Sequence, residues 1–160
     1  MPVMDLESLA RALGRGRPIL GLDVGTKTIG LALSDSSATV ATPLEVIRRT
    51  KLAADALRLA EIVRERHVGA LVLGLPVNMD GTEGRRCQSV RQFAANLLER
   101  IDLPLAFWDE RLSTAAVERV LVSEADLSRR RRAEVIDKMA AAYILQGALD
   151  RLRAARPRHP

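Results

Sequence analysis

The sequence has little of several residue types, and each shortage excludes a class of protein. Cys87 is the single cysteine in 160 residues and there are only two histidines, so neither an internal disulfide nor a Cys/His zinc cluster is expected. Two Phe, one Trp and one Tyr are too few for a platform that stacks single-stranded bases. Residues 1–17 lack the apolar core of a signal peptide, and no apolar run approaches the roughly 18 residues of a membrane span. We therefore expect a cytoplasmic protein without a membrane partner.

Positive charge is in excess and is clustered. The chain has 25 Lys and Arg against 20 Asp and Glu, which gives a net charge of +5. The excess lies mainly at Arg48-Arg49, Arg85-Arg86, Arg129–Arg132 and in the tail 151–159. Basic chains favour polyanions, through phosphate contacts that do not depend on base sequence. The charge therefore favours a nucleic-acid partner but does not identify it.

Hydrophobic periodicity predicts one α/β domain. The predicted order is a strand hairpin within 19–35, a strand at 38–46 interrupted by Pro43, a helix at 51–67, a strand at 70–75, a helix at 83–101, a strand at 103–108, and helices at 113–123 and 133–152. This order predicts a mixed five-stranded sheet, antiparallel in strands 1–3 and then parallel, with helices on both faces. Pro43 should confine its strand to a sheet edge or mark a bulge. Expected boundaries are 1–17 for an N-terminal extension, 18–152 for the domain and 153–160 for a basic tail.

The first candidate functional residue is Asp23, at the end of an apolar strand. Leu20 and Leu22 point to one face of an extended chain, so Asp23 points to the other and leaves the sheet where the apolar run stops. A buried unpaired carboxylate there would be costly unless a cation or hydrogen bonds offset it. Asp23 is therefore either a catalytic acid or a structural acid paired with Lys27 or Thr28.

A second acidic position follows the fifth strand. Asp109 and Glu110 are neighbours, so in an extended chain only one of them can point to the same side of the sheet as Asp23. The sequence does not decide which one. In the structural alternative, one acid pairs with Arg111 and the other caps the helix expected to begin near Ser113.

A third acid, Asp137, lies on the buried stripe of the last helix. Positions 137, 141, 144 and 148 share one helical face and read Asp, Ala, Ile and Ala. The small alanines would let this helix approach the sheet closely and bring Asp137 near the ends of strands one and five. The alternative is a solvated acid in a first helical turn, where the helix dipole favours it.

Four stretches, within 19–35, 72–83, 108–114 and 136–145, resemble the YqgF/RuvX family in the same order. The resemblance extends from about residue 18 to about residue 152. Proteins of this family were first described as Holliday junction resolvases and are now usually described as pre-16S rRNA nucleases. The resemblance implies an RNase H-like fold and hydrolysis of phosphodiester bonds.

The resemblance also implies an active site of acids. It assigns catalytic and metal-binding roles to Asp23, Asp137 and one acid of the Asp-Glu-Arg motif, for which we favour Glu110 with Asp109 as its near equal. Some RNase H-like nucleases have an acid at the end of the fourth strand, where this chain has Gly74, and the acid from the fifth strand would replace it. Such an oxygen-rich site suits Mg²⁺ or Mn²⁺, and two ions about 4 Å apart assist phosphodiester hydrolysis.

Substrate contacts are expected from the hairpin turn, the loop 74–84, the Asp-Glu-Arg motif and the arginine run before Asp137. The loop leads into a helix N-terminus, which suits phosphate, although its Asp80-Gly81 pair is also an ordinary turn. The arginine run is either a solvated loop or a clamp on the nucleic-acid backbone. The residues expected to bind substrate are Lys27, Thr28, Asn78, Thr82, Arg111, Arg129, Arg130, Arg131 and Arg132.

Four functions remain open at this stage. The resemblance favours a nuclease that trims the 5′ end of precursor 16S rRNA, and a resolvase of four-way DNA junctions is the first alternative. A resolvase cuts two strands symmetrically and should be a two-fold dimer, whereas the sequence is compatible with a monomer or a homodimer. A catalytically silent RNA-binding assembly factor would not need all three acids. Actin-like ATPases share the Asp-x-Gly-Thr hairpin, but they need a second related lobe.

Overall fold

The computed structural model describes residues 3–112 and 129–155, and the side chains of the last helix from residue 135 to residue 154. The elements along the chain are α1 (Leu6–Ala12), β1 (Ile19–Val24), β2 (Thr28–Ser34), β3 (Ala41–Arg48), α2 (Leu52–Glu65), β4 (Ala70–Leu75), α3 (Arg85–Leu98), β5 (Leu105–Asp109), a 3-10 turn (Glu110–Leu112) and α4 (Arg129–Ala155). The helix expected at 113–123 and the tail beyond residue 155 lie outside the described residues. No described helix has the length and apolarity to cross a membrane.

The five strands form one mixed sheet in the order β3-β2-β1-β4-β5. The β1–β2 and β2–β3 pairs are antiparallel, and the β1–β4 and β4–β5 pairs are parallel. The predicted α/β architecture is confirmed. β4 is buried along its whole length, as its unbroken apolar sequence indicates for a strand covered on both faces.

Strand alternation separates two cores of different composition. The face covered by α2 and α3, here called the aliphatic face, presents mainly large side chains. The opposite face, here called the α4 face, presents mainly small ones and is covered by α4 and α1. The sheet residues of the aliphatic face include Leu20, Leu22, Ile29, Leu31, Leu71, Leu73 and Leu105, and those of the α4 face include Ile19, Ala32, Ala70, Val72 and Ala106.

The third strand begins later than its sequence predicts. The Asp35 carboxylate accepts the backbone N–H groups of Thr39 and Val40 at 2.7 and 2.9 Å, which holds a turn where Ala38 has a positive φ of 55°. The strand therefore starts at residue 41 instead of 38 and continues to residue 48. It is an edge strand, and its register shifts near Pro43, as expected for a proline in a sheet.

The helices differ from expectation: α2 covers 52–65 instead of 51–67, α3 ends at Leu98 instead of residue 101, and α4 covers 129–155 instead of 133–152, so the arginine run is helical and not a loop. Two more shifts concern the start of α3 and the bounds of β5. α3 begins at Arg85 after the cap residue Gly84, instead of at residue 83. β5 covers 105–109 instead of 103–108, because the chain stays extended through Asp109 before the 3-10 turn. This second shift determines which acid of the Asp-Glu pair points toward Asp23.

Candidate active site

Asp23 lies in a row of residues that runs across the α4 face of the sheet. It is paired with Gly30 on β2, and the register of β4 and β5 places Gly74 opposite Trp108. A Cβ atom at Gly30 would clash with the main-chain oxygen of Asp137, so only glycine lets α4 pass this close to β2. The same applies at Gly21, where a Cβ would lie 2.7 Å from the Cβ of Leu145. The glycines of β1 and β2, more than the alanines of the helix on which the expectation rested, thus let α4 and Asp137 approach the sheet closely.

Glu110 reaches the same row from the other side. Glu110 follows β5 two residues after Trp108 and points to the same face of the sheet. Its side chain lies over Gly74, where a Cβ would come within 2.5 Å of Glu110 Oε1. The absence of a side chain at Gly74 therefore makes room for the Glu110 carboxyl. This placement agrees with the expectation that an acid from the fifth strand takes the position vacant on the fourth.

The carboxyl groups of Asp23 and Glu110 are hydrogen-bonded to each other. Burial, together with the charge and hydrogen bond of Asp23, raises the pKa of Glu110 to about 8. Burial also raises the pKa of Asp23, with a further increase from the charge of Asp137. The two carboxyls therefore share a proton near neutral pH. Two acids this close in a half-buried position form a site that attracts positive charge.

Asp137 lies close enough to Asp23 to raise its pKa and is oriented by a neighbour from β2. The Thr28 hydroxyl donates a hydrogen bond of 2.7 Å to Asp137 Oδ2. Of the two partners considered for a structural Asp23, Lys27 and Thr28, the Thr28 hydroxyl is thus given to Asp137. Thr28 instead fixes the third acid on the side of the sheet where the first two meet.

Asp109 points away from this group. Its carboxylate forms an ion pair with Arg111, with 2.6 Å between Asp109 Oδ2 and Arg111 Nη2, and this contact lowers the pKa of Asp109. The structure thus places Glu110 beside Asp23 and uses Asp109 as the partner of Arg111. The strand parity required one of these two arrangements, and the added extended residue at 109 selects this one.

The predicted substrate residues lie on the β1–β2 turn, in β2, in the loop after β4, after β5 and at the start of α4. Lys27 is exposed on the β1–β2 turn. Asn78 donates to the Thr82 hydroxyl at 3.0 Å within the loop after β4, and Arg111 reaches from Asp109 toward the main-chain oxygen of Met79 at 3.5 Å. The run Arg129–Arg132 forms the first turn of α4, and its side chains lie outside the described ones.

Arg86 is a site residue that sequence reasoning missed. It lies in the first turn of α3, and its guanidinium donates a 3.1 Å hydrogen bond to the main-chain oxygen of Val24, directly after Asp23. Its positive charge favours the ionised forms of both Asp23 and Glu110. The sequence showed Arg86 only as part of a basic pair, because nothing in the pattern indicated which way the α3 N-terminus would face.

The donor set suits a hard divalent cation. Asp23, Glu110 and Asp137 offer only carboxylate oxygens. Burial first, and then the charge of a neighbouring carboxylate, raises the pKa values of Asp23 and Glu110, and a cation would relieve the repulsion between these charges. Within residues 3–112 and 129–155, however, no three acidic, His or Cys side chains are gathered as a ready metal cluster. Asp23 and Glu110 are in contact, whereas Asp137 is hydrogen-bonded to Thr28. The three acids fit a cation in their chemistry, with Asp137 held near the other two by Thr28.

Comparison with known proteins places the chain in a family. The family model RuvX, described as Holliday junction resolvase, matches residues 17–151. A protein of Paramagnetospirillum magneticum named "Putative pre-16S rRNA nuclease" is 63% identical over 150 residues, covering 94% of this chain and 96% of the relative. A relative of the same name in Phenylobacterium zucineum is 60% identical over 154 residues, covering 96% of this chain and 99% of its own.

A solved structure shares the fold at low sequence identity. The structure of Thermus thermophilus RuvC in complex with Holliday junction substrate superposes with a TM-score of 0.53 at 14% identity, covering 89% of this chain and 99% of that one. At this identity the likeness concerns the fold alone, which it identifies as RuvC-like and therefore RNase H-like. With the family match across most of its length and relatives near 60% identity, the chain belongs to the RuvX family.

Proposed function

We propose that this protein is a metal-dependent nuclease that trims the 5′ end of precursor 16S rRNA, a reaction of ribosome assembly in the cytoplasm. The observation that carries the proposal is the contact of Asp23 with Glu110 beside Asp137, three acids brought from β1, from the end of β5 and from α4. The proposed substrate, precursor 16S rRNA, is taken from the names of the two relatives. The retained acids argue against a silent RNA-binding factor.

Asp23, Glu110 and Asp137 are the residues that would hold Mg²⁺ or Mn²⁺, and two ions are the arrangement that the chemistry favours. The bound metal would supply an activated water and stabilise the leaving oxygen. Glu110 would give up the proton that it shares with Asp23. Thr28 would guide Asp137, and Arg86 would limit the repulsion within the acid group because its charge favours ionised Asp23 and Glu110.

Resolution of a four-way DNA junction is the second candidate function. The description of the family model favours it, whereas the names of the 60% identical relatives favour RNA. The same acids would cut either backbone. Junction resolution requires two active sites in a two-fold dimer, whereas trimming of one RNA strand requires only a monomer.

Replacement of single acids by amides tests the proposed active site. Asp23→Asn should lower Mg²⁺-dependent cleavage of a precursor 16S rRNA 5′ fragment by on the order of 100-fold or more, because the amide keeps the shape and loses the charge. Its melting temperature should not fall, since one repelling charge is removed. Asp109→Asn is the matched control and should stay within about threefold of wild type, because Asp109 forms a half-exposed ion pair with Arg111.

Two results would contradict the assignment. Wild-type cleavage by Asp23→Asn, with contaminating nucleases excluded, would remove Asp23 from the site. Equal and large losses in Asp23→Asn and Asp109→Asn would show that the ion pair with Arg111 is part of the site. A four-way DNA junction assayed in parallel decides the substrate, because cleavage of the junction alone would replace the RNA proposal by the resolvase.

A further inference from the structure

Basic side chains from three elements meet at the turn between β1 and β2. The Arg86 guanidinium donates to the main-chain oxygen of Val24 at 3.1 Å, and Arg49 Nη1 donates to that of Gly25 at 2.6 Å. The Arg49 backbone N–H also donates to Lys27 O at 2.8 Å. The turn that follows Asp23 is thus held by one arginine that follows β3 and another from α3.

Two more basic residues complete this group. Arg48 is paired with Thr28 in the β2–β3 ladder and is exposed, as is Lys27 on the turn itself. The hairpin-tip patch is defined here as the side chains of Lys27, Arg48, Arg49 and Arg86. It borders the acids directly, because Arg86 acts on Asp23 and Glu110 and because Thr28 is the partner of Asp137.

The arginines of the patch have N–H donors to spare. In the described part of the chain, the side-chain hydrogen bonds of Arg49 and Arg86 go to neutral carbonyl oxygens, and a guanidinium has five N–H donors. Arg49 is also held over the Phe93 ring, with its guanidinium carbon 5.2 Å from the ring centre, which limits the orientations of the side chain. An arginine with fixed direction and spare donors is suited to a phosphate oxygen.

Two arginines elsewhere on the surface are paired with acids. Arg58 is paired with Glu45 and Glu61 at 2.7 and 2.9 Å, and Arg91 is paired with Glu83 at 2.6 Å. Asp55 in the first turn of α2 is buried and accepts hydrogen bonds from Thr50. Compared with these paired arginines, the patch is a local surplus of positive charge next to a group of acids.

We infer that the hairpin-tip patch binds the phosphodiester backbone of the substrate strand beside the cleavage site. The inference rests on the proposed nuclease function, and it extends the contact expected at Lys27 of the hairpin turn to Arg48, Arg49 and Arg86. Because the patch reads phosphates, its contribution should not depend on base sequence.

The test measures binding of a labelled RNA in EDTA, where binding is separated from cleavage. The probes are a single-stranded fragment from the 5′ end of precursor 16S rRNA and an RNA of scrambled sequence, at several salt concentrations. Arg49→Gln/Arg86→Gln should weaken binding of both RNAs by roughly tenfold and reduce the slope of log affinity against log salt by about 0.7 for each lost contact. Lys27→Gln/Arg48→Gln should weaken both in the same way. These two exposed side chains allow the test even if removal of the turn-holding arginines impairs folding.

Arg64→Gln/Arg66→Gln is the matched control for charge. Both residues are exposed at the C-terminal end of α2, which leads to the start of β4 at the opposite end of the sheet from the hairpin tip. This variant loses the same charge and should bind almost as wild type does. An equal loss of affinity in the control variant would show that the effect depends only on net charge, and it would overturn the binding role inferred for the patch.

The remaining outcomes separate the patch from the nuclease. If both patch variants keep wild-type affinity and salt slope while the wild-type protein cleaves, the binding role inferred for the patch is wrong and the nuclease assignment stands. If the patch variants lose affinity while wild-type protein fails to cleave RNA or DNA with Mg²⁺ or Mn²⁺, the patch stands as a binding surface and the nuclease assignment fails.

Discussion

The two faces of the sheet are built on opposite principles. On the aliphatic face, large side chains such as Leu22 and Leu73 fill the space between the sheet and its helices, and both are fully buried. On the α4 face, positions 21, 30 and 74 are glycines without side chains, so that helix backbone and carboxyl groups come close to the strands. The first face stabilises the fold, and the second sets the distances between the acids. A change on either face should therefore have a different balance of stability and activity.

The largest stability loss is expected on the aliphatic face. Leu22→Ala should lower the free energy of unfolding by about 3 to 5 kcal/mol, because it leaves a cavity in a fully enclosed position. The acids face the other way, so cleavage per folded molecule should stay near wild type. Urea denaturation together with single-turnover cleavage, corrected for the folded fraction, measures both effects. A folded Leu22→Ala protein without activity would contradict the division between the faces.

A somewhat smaller loss with a much larger effect on activity is expected at Gly30. Gly30→Ala inserts a methyl group against the main chain of Asp137 and should cost about 2 to 3 kcal/mol. Because α4 must move away, Asp137 would leave the other acids and cleavage should fall more than the folded fraction explains. Gly14→Ala is the control, since the added methyl meets only the flexible side chain of Arg17. Wild-type activity in a folded Gly30→Ala protein would show that the close approach is not needed for cleavage.

The smallest effect is a dependence of metal-free stability on pH. The pKa of Glu110 is raised to about 8 in the folded protein, so folding favours its protonated form. The stability that this proton provides is fully present below the unfolded pKa, near 4.3, and is lost as the pH rises through about 8. The loss should be roughly 1 to 2 kcal/mol once solvent screening of a partly exposed group is allowed for.

Glu110→Gln tests this origin of the pH dependence. The amide mimics the protonated acid, so the decline between about pH 5 and pH 8 should become shallower than in wild-type protein measured in EDTA. Asp109→Asn should leave the decline unchanged, because the pKa of Asp109 is lowered, not raised. Equal slopes in wild type and Glu110→Gln would assign the decline to other groups.

Much of this arrangement could be predicted from the sequence, because strand alternation and helical stripes are local properties. The direction of Asp23 follows from its place among Leu20 and Leu22, and the buried stripe placed Asp137 on the sheet-facing side of the last helix. The choice between Asp109 and Glu110 could not be predicted. It depends on one more extended residue before the 3-10 turn, and a boundary that fine is not fixed by local pattern.

Contacts between elements that are distant along the chain could not be predicted from the sequence. The hydrogen bond from Thr28 to Asp137 joins residues 109 positions apart, and no periodicity reports such a pairing. Arg86 was missed for the same reason, since its role depends on where the start of α3 lies relative to the end of β1. The metal, the acids as catalysts and the substrate residues remain predictions that the experiments above decide.

The link between Thr28 and Asp137 also sets the time at which the active site can exist. During synthesis the hairpin with Asp23 leaves the ribosome first, Glu110 follows after the fourth and fifth strands, and Asp137 comes later still. Chains are made at about 5 to 20 residues per second, so several seconds separate the first acid from the last. A growing chain thus carries an incomplete set of acids until α4 has been made. Docking of α4 on the glycines of the sheet is the step that brings Asp137 to the other two acids.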